Sequence, residues 1–354
     1  MEGAVSGNLL DCNIREGISS ISCTENYLWV TGDENISIQR LELMEDGSYG
    51  KARNFYLKDY IELDVLDAEA DIEGMDVEGN YLWIIGSHSY KRKKIRPEKE
   101  SEEQEIKRLS KIKLGANRNL LARIPLIKME NGAYELVKSA PDPNDVTKTL
   151  TAARLNHTPK KWSQLTQVLE HDEHIGPFIK IPGKDNGFDI EGLAVYHDKL
   201  FIGLRGPVLR GWAIILEIQV EVREAGILQL KEVQEEGGLY KKHFINLHGM
   251  GIRELVCDEK DLLILAGPSM DLDGTMEIYR WKNGTQSSRE QLVRREDIKS
   301  LYVFPYIKEK HSLDKAEGLA IRDDRKLLMA YDSPDEERKI GKHQVLLDLI
   351  ALES

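Results

Sequence analysis

The chain has 354 residues, of which 41% are hydrophobic and 31% charged, a composition typical of globular proteins with a large core. Its formal net charge of −12 leaves no basic excess to displace counterions from a nucleic-acid backbone, so we expect no nucleic-acid partner. No apolar run approaches the length of a membrane span, and the first residues lack the pattern of a signal peptide, which favours a cytoplasmic protein without membrane attachment.

Five stretches of the chain resemble one another. Each begins with a Glu-Gly or His-Gly step, followed by an apolar strand, a turn and a second apolar strand, and complete units add a third strand. In chain order these units span 15–43, 71–89, 187–220, 247–281 and 316–350. The Glu or His positions are separated by 57, 118, 57 and 69 residues. The gap of 118 residues holds either one unit with an insertion or two units with one motif eroded.

The segment 91–113 interrupts the second unit with ten basic and five acidic residues and no apolar period. Such a run of charge is typical of a solvated loop, and less often of a contact for an acidic partner. We expect a charged excursion between the second and third strands of this unit, with the sheet resuming at 118–128.

The segment 144–174 interrupts the repeat a second time. Its apolar residues have roughly helical spacing, and Pro159 suits a break between two helices. The pattern therefore predicts a helical insertion that packs on the rim or covers one mouth of the fold.

Short antiparallel strands in units repeated five or six times are typical of a β-propeller, so we predict an all-β, single-domain propeller over 1–354. A doubly wound α/β fold would need helices between the strands, and a two-sheet sandwich gives no reason for a recurring acidic step. A strand near 8–14 is expected to close the ring by pairing with the last unit.

The first strands of propeller units line a central channel, so equivalent positions converge on one axis. On the alignment of the Glu-Gly and His-Gly steps, the predicted ring consists of Glu16, Glu73, Glu191, His248 and Glu317. In an antiparallel hairpin the second strand ends where the first begins. The second strands therefore add Asp33, His88, Arg205, Ser269 or Asp271, and Asp332 to the same mouth.

Four glutamates close together cannot all stay ionised without compensation, because like charges raise each other's pKa. Three outcomes remain open. Ca²⁺, before Mg²⁺, is held on the axis by a metal site formed by Glu16, Glu73, Glu191 and Glu317. Alternatively, Arg205, Arg210 and Arg15 neutralise the ring, or some glutamates stay protonated and act as general acids.

The motif set GFDIEGLAV (187–195) and LFIGLRGPVLRGWAIILEI (200–218) resembles the bacterial family known as domain of unknown function 3616. DIEGM (71–75), LWIIGSHS (82–89) and AEGLA (316–320) extend the resemblance over most of the chain. It implies a β-propeller without a settled activity. The Glu-Gly-Leu-Ala units are also distantly similar to esterase-like phytase propellers, in which calcium is central.

Two functions follow from these residues. In the first, a Ca²⁺-assisted hydrolase cleaves a small anionic ester, such as a phosphoester, at the channel mouth. Arg205 and Arg210 would hold this anionic substrate, and His248, His88 and Glu191 would be catalytic. In the second, the propeller is a non-catalytic scaffold for a protein or a small ligand. No Gly-rich phosphate loop or Rossmann fingerprint is present, so no nucleotide cofactor is expected.

Overall fold

The computed structural model describes residues 6–11, 14, 16–32, 35–115, 117–157, 162–234, 237–270, 272–305 and 314–352. Within them the fold is all-β, as predicted, with two α-helices. Arg15, Asp33 and Asp271, which the sequence placed near the channel mouth, lie outside the described residues. No helix in the described part of the chain is long and apolar enough to cross a membrane.

Antiparallel pairing groups most of the described strands into the units given below. Strand β1 (Ser6–Asp11) belongs to the last of them. The first unit contains β2 (Ile18–Thr24), β3 (Tyr27–Gly32), β4 (Ser37–Leu43) and β5 (Tyr49–Tyr56). The second contains β6 (Ile72–Glu78), β7 (Tyr81–Gly86) and β10 (Leu121–Lys128), with β11 (Tyr134–Leu136) and β14 (Ala153–Leu155) sharing the outer edge.

The third unit contains β15 (Asp189–Tyr196), β16 (Lys199–Gly206), β17 (Trp212–Glu224) and β19 (Lys241–Asn246), extended by β18 (Ile227–Leu230) and β23 (Gln291–Val293). The fourth contains β20 (Gly251–Asp258), β21 (Asp261–Gly267), β22 (Glu277–Trp281) and β24 (Ile298–Val303). The fifth contains β25 (Ala316–Arg322), β26 (Lys326–Tyr331), β27 (Lys339–Ile340) and β28 (Gln344–Ala351).

The N-terminal strand closes the molecule. Strand β1 pairs antiparallel with β28, with Leu9 opposite Leu346, so the predicted pairing of an N-terminal strand with the last unit is confirmed. The strand lies at Ser6–Asp11, slightly before the predicted 8–14.

The first strand of each unit lies at the centre. These inner strands are neighbours in the order β2, β6, β15, β20 and β25, and β25 returns to β2, which is the arrangement of a β-propeller. An apolar cluster fills the space between each pair of neighbouring units; Trp29 with Met75 and Phe201 with Leu255 are examples. Burial on both faces explains why the inner strand β15 has no polar residue between 192 and 195, where it reads GLAV.

Two segments leave the regular units. The excursion between β7 and β10 contains β8 (Tyr90–Arg92), helix α1 (Glu102–Leu109) and β9 (Ile112–Leu114). The capping box of Ser101 and Gln104 begins α1, and none of its residues is buried.

The predicted helical insertion at 144–174 differs from the structure. A hairpin of β12 (Ser139–Asp142) and β13 (Asp145–Thr151) precedes β14, and the only helix here is α2 (Gln164–Leu169) within the described residues. The β-branched residues of β13 favour a strand over a helix. The prediction of a helix used only the spacing of apolar residues and did not take this preference into account. Helix α2 buries Leu165 and Leu169 between the second and third units.

Candidate functional site

A β-bulge recurs at the same place in all five inner hairpins. The register between first and second strands shifts at Ile18/Ser20, Ile72/Gly74, Ile190/Gly192, Ile252/Glu254 and Ala316/Gly318. Each shift leaves one extra residue, whose side chain the bulge redirects. The five bulge residues are Ser19, Glu73, Glu191, Arg253 and Glu317. They form the axial ring at one mouth of the channel.

The structure therefore corrects the predicted ring at two positions. Glu73, Glu191 and Glu317 are ring members, but Ser19 and Arg253 occupy the places assigned to Glu16 and His248. Glu16 is exposed and lies 3.0 Å from Lys339 Nζ. His248 is an exposed turn residue with φ of 58°. The alignment of the Glu-Gly and His-Gly steps fails in these two units, because equivalent positions of the units are defined by the bulge and not by that step.

A different local signal identifies the ring. Each bulge residue lies six residues before the first residue of the turn that joins β-strands one and two of its unit. In the first four units that turn residue has a positive φ, as in the primed turns of two-residue hairpins. Counting back from the turns would have found Ser19 and Arg253 from sequence.

The glycine after each ring glutamate has a packing reason. A methyl group on Gly74 would lie 2.8 Å from Cβ of Leu193 in the neighbouring inner strand, closer than carbon atoms approach. At Gly192 it would lie 3.0 Å from the backbone nitrogen of Leu255. Glycine thus lets neighbouring inner strands approach, and this explains the recurring Glu-Gly step.

Ionic contacts join three neighbouring units across the ring. Arg205 NH1 lies 2.5 Å from Glu191 Oε1, and Arg205 NH2 also contacts Asp189. Arg253 Nε lies 3.0 Å from Glu191 Oε2, an ion pair without hydrogen-bond alignment, and Arg253 NH2 contacts Glu317. Asp189, Arg205, Glu191, Arg253 and Glu317 thus form a chain of alternating charge.

The contacts in this series of alternating charges set the direction of the pKa shifts of Arg205 and Glu191. Burial opposes the charge of Arg205, but Asp189 and Glu191 raise its pKa above the usual value, so it stays a cation. Burial also raises the pKa of Glu191, and Arg205 and Arg253 oppose that rise. Arg205 is therefore engaged by carboxylates, and Arg210, the other predicted anion-binding residue, is exposed in the next turn.

Glu73 is the exception in the ring. It makes no hydrogen bond or ion pair with any residue that the structure describes. Burial, and then the charges of Asp71 and Glu191, raise the pKa of Glu73 well above its usual value, while Arg205 opposes them. Its side chain is half-buried. A carboxyl in this environment favours its neutral form, which can donate a proton or a hydrogen bond.

The residue after the bulge differs between units. This position is glycine in three units, Ser20 in the first and Glu254 in the fourth. Glu254 Oε2 accepts a hydrogen bond from Ser20 Oγ at 2.7 Å, and Oε1 accepts one from the amide of Leu193 at 3.2 Å. Glu254 is 1% exposed, and its bond to Ser20 joins two inner strands, β20 and β2, that are not neighbours in the ring; we call these two residues the floor.

His88 lies beside the ring but is enclosed. It is 1% exposed, with Nδ1 2.8 Å from the carbonyl oxygen of Gly86 and Nε2 3.0 Å from Ser163 Oγ. Burial lowers the pKa of His88 to about 3, so the imidazole is neutral. The neighbouring Asp71 contacts Arg118 NH2 at 2.6 Å and Lys91 Nζ at 2.8 Å, so its charge is compensated.

Among the described residues, no group of three or more His, Cys, Asp or Glu side chains is arranged to hold a metal ion. Two of the four glutamates predicted to bind calcium contact arginines, and Glu16 lies outside the ring.

The fold and site define a β-propeller with a ring of charged side chains on its inner strands. The model of the family described as "Protein of unknown function (DUF3616)" matches residues 17–348, and the chain belongs to this family. No curated protein matches the sequence.

Solved structures match over nearly the whole chain at low identity. A streptogramin B lyase structure has 10% identity and a TM-score of 0.39, covering 98% of this chain and 97% of that chain. Glutaminyl cyclase from Myxococcus xanthus has 8% identity and a TM-score of 0.41, covering 99% and 97%. The PQQ-bound aldose sugar dehydrogenase from Streptomyces coelicolor has 11% identity and a TM-score of 0.39, covering 99% and 98%.

Proposed function

We propose that this protein is a five-bladed propeller that binds a small cationic ligand at the channel mouth, with Glu73 as its anchor. The observation that carries the proposal is the Glu73 carboxyl, which has no partner among the described residues in an otherwise paired ring.

The blade count rests on the inner strands and the clusters between them. Five inner strands follow one another around the axis, and each pair of neighbours encloses one apolar cluster. The long gap between the second and third units supplies β11 and β14 to the edge of the second unit. Because these strands belong to the second unit, the residues of the gap favour one unit with insertions, and they argue against a sixth unit whose motif has been lost.

The charge balance supports a cationic ligand. The mouth brings together four carboxyls, from Glu73, Asp189, Glu191 and Glu317, and two guanidiniums, from Arg205 and Arg253. Among these six groups two carboxyls are in excess. Lys184 also acts on Glu191, and a proton or a bound cation can neutralise Glu73. A cation would displace the proton from Glu73, so binding should strengthen as pH rises.

Thermal shift with inorganic cations and small amines tests the proposal. Ca²⁺, Mg²⁺, Mn²⁺, choline and spermidine are added separately to wild type, Glu73→Gln and Glu16→Gln. At least one of them should raise the midpoint of wild type and Glu16→Gln, because a ligand that binds only the folded state stabilises it. Glu73→Gln should lose that shift. A shift that persists in Glu73→Gln, or no shift with any cation in wild type, would count against the proposal.

A second candidate is Ca²⁺-assisted hydrolysis of a small anionic ester. The excess of two carboxyls matches the charge of one divalent cation, and a neutral Glu73 has the protonation state of a general acid. A screen of phosphoesters with added Ca²⁺ tests this candidate. Turnover that is lost in both Glu73→Gln and Glu191→Gln, with His248→Ala as a folded comparison, would establish it. Absence of turnover in the screen would leave the binding function alone.

A further inference from the structure

Exposed apolar side chains are concentrated at the end of the molecule that carries the channel mouth. Fifteen large apolar side chains are exposed in the described part of the chain. Nine of them lie in the connections at this end: Val65, Leu66, Ile95, Ile106, Leu109, Ile112, Met270, Leu272 and Ile340. Six of the nine lie in two segments, 57–71 and 91–113; single exposed apolar residues are ordinary, but such grouping is typical of an interaction surface.

Residues 91–113 form the first half of this surface, the basic arm. Its ten basic and five acidic residues give it a net charge of +5 in a chain of −12. Helix α1 exposes Ile106 and Leu109 on one face, since they are three positions apart, with exposed fractions of 64% and 46%. The arm is ordered against the body, because Arg92 Nε donates to Asp185 at 2.8 Å.

Residues 57–71 form the second half, the acidic segment. Four of its six acidic residues are exposed and, with exposed Lys58, give it an exposed net charge of −3, opposite in sign to the arm. The other two, Asp64 and Asp71, pair with basic residues of the same chain. It exposes Val65 and Leu66, and Asp67 projects into solvent. Asn117 holds it beside the arm by donating to the carbonyl oxygens of Val65 and Ala68, both at 2.7 Å.

We infer that a second copy of this chain docks on this surface. In a two-fold dimer each partner presents the same patch, so the patch must be complementary to itself. A surface with a basic apolar half beside an acidic apolar half meets this condition. The arm of one copy faces the acidic segment of the other, twice, and the exposed apolar residues are covered together. Complementary charges fix the register of such a contact.

Charge reversal and mixing test this inference with the full chain. Variant one is Lys94→Glu/Arg96→Glu in the arm, and variant two is Glu62→Lys/Asp67→Lys in the acidic segment. All four residues are exposed, and the ion pair of Asp67 with Lys58 is long, at 3.8 Å. Arg223→Glu/Lys231→Glu is the control, since it makes the same change in charge as variant one at the opposite end of the molecule. Ile106→Glu/Leu109→Glu tests the apolar contact without touching a buried residue.

The readout is mass by light scattering over a concentration series. Wild type and the control should approach twice the 40.4 kDa chain mass. Each reversal variant alone should dissociate into monomers at a concentration at least about tenfold higher than wild type does, because both contacts then bring like charges together. An equal mixture of the two reversal variants should recover the dimer, because each arm then meets a segment of opposite charge. A monomeric wild type, a control as weak as the arm variant, or a mixture that stays monomeric would overturn the inference.

Discussion

Glu254 and Ser20 are joined by a hydrogen bond of 2.7 Å across the centre of the propeller. Their strands, β20 and β2, are not neighbours in the ring, so the bond spans the axis rather than one interface between units. The other carboxyl oxygen of Glu254 accepts the amides of Leu193 and Leu255, so this one side chain ties β20 to both β15 and β2.

The first prediction concerns this floor. Glu254→Ala removes an acceptor from Ser20 and two backbone amides and leaves a cavity, so we expect it to lower the free energy of unfolding by about 3 kcal/mol. Glu254→Gln should lower it by less than about 1 kcal/mol, because its oxygen can accept from the amides while its amide group donates to Ser20. Urea denaturation measures both. Equal stability of the two variants would contradict this role.

The second prediction concerns the chain of alternating charge. Arg253→Ala removes a cation from Glu191 and Glu317 at buried positions, so the free energy of unfolding should fall by about 3 kcal/mol. Arg210→Ala is the matched control, because Arg210 is exposed, and should change stability by less than about 0.5 kcal/mol. Similar denaturation midpoints for the two variants would mean that Arg253 does not hold the ring together.

The third prediction concerns the glycines beside the ring. Gly74→Ala places a methyl group 2.8 Å from Cβ of Leu193, so overpacking should cost about 2 kcal/mol. Gly50→Ala in β5 is the control, because the nearest atom to its added Cβ is a flexible Met44 side-chain carbon at 3.8 Å. We expect Gly50→Ala to be near neutral in the same denaturation experiment. A neutral Gly74→Ala would show that the inner strands can separate at no cost.

The fourth prediction concerns Asp76, whose Oδ2 accepts the amide of Val195 in the neighbouring inner strand at 2.7 Å. Burial raises the pKa of Asp76 to about 7, and its backbone hydrogen bonds oppose the rise. Between its unfolded pKa of about 3.9 and pH 7, the native state holds a proton that the unfolded state has released, so stability falls as pH rises. Asp76→Asn should make the slope less negative by up to about 1.4 kcal/mol per pH unit. An unchanged slope from pH 4 to 7 would contradict the assignment.

The fifth prediction has the opposite sign. Because burial lowers the pKa of His88 to about 3, the unfolded chain binds a proton below about pH 6.5 that the native state cannot accept. Stability due to His88 is therefore present above pH 6.5 and is lost as pH falls toward 3. His88→Gln should flatten this acid limb in denaturation series at fixed ionic strength. Titration of the His88 ring near pH 6.5 by NMR would rule out the enclosed, neutral imidazole.

Part of the candidate site was accessible from the sequence. Glu73, Glu191 and Glu317 were identified because a Glu-Gly step precedes a strand, a turn and a second strand in each of their units. Arg205 was placed at the same mouth because the second strand of a hairpin ends where the first begins. Arg253 was missed, since no glycine follows it and the search for the step settled on His248 instead.

The sequence by itself determined the strands, the hairpins and their repetition, because apolar runs and turn residues act over short stretches of chain. Only the tertiary structure decided which charges meet. The contact between Arg253 and Glu191 joins neighbouring units, and that between Glu254 and Ser20 crosses the axis. Such pairings depend on the bulge and on the closure of the ring. These long-range contacts also leave Glu73 without a partner among the described residues, and no local pattern records that.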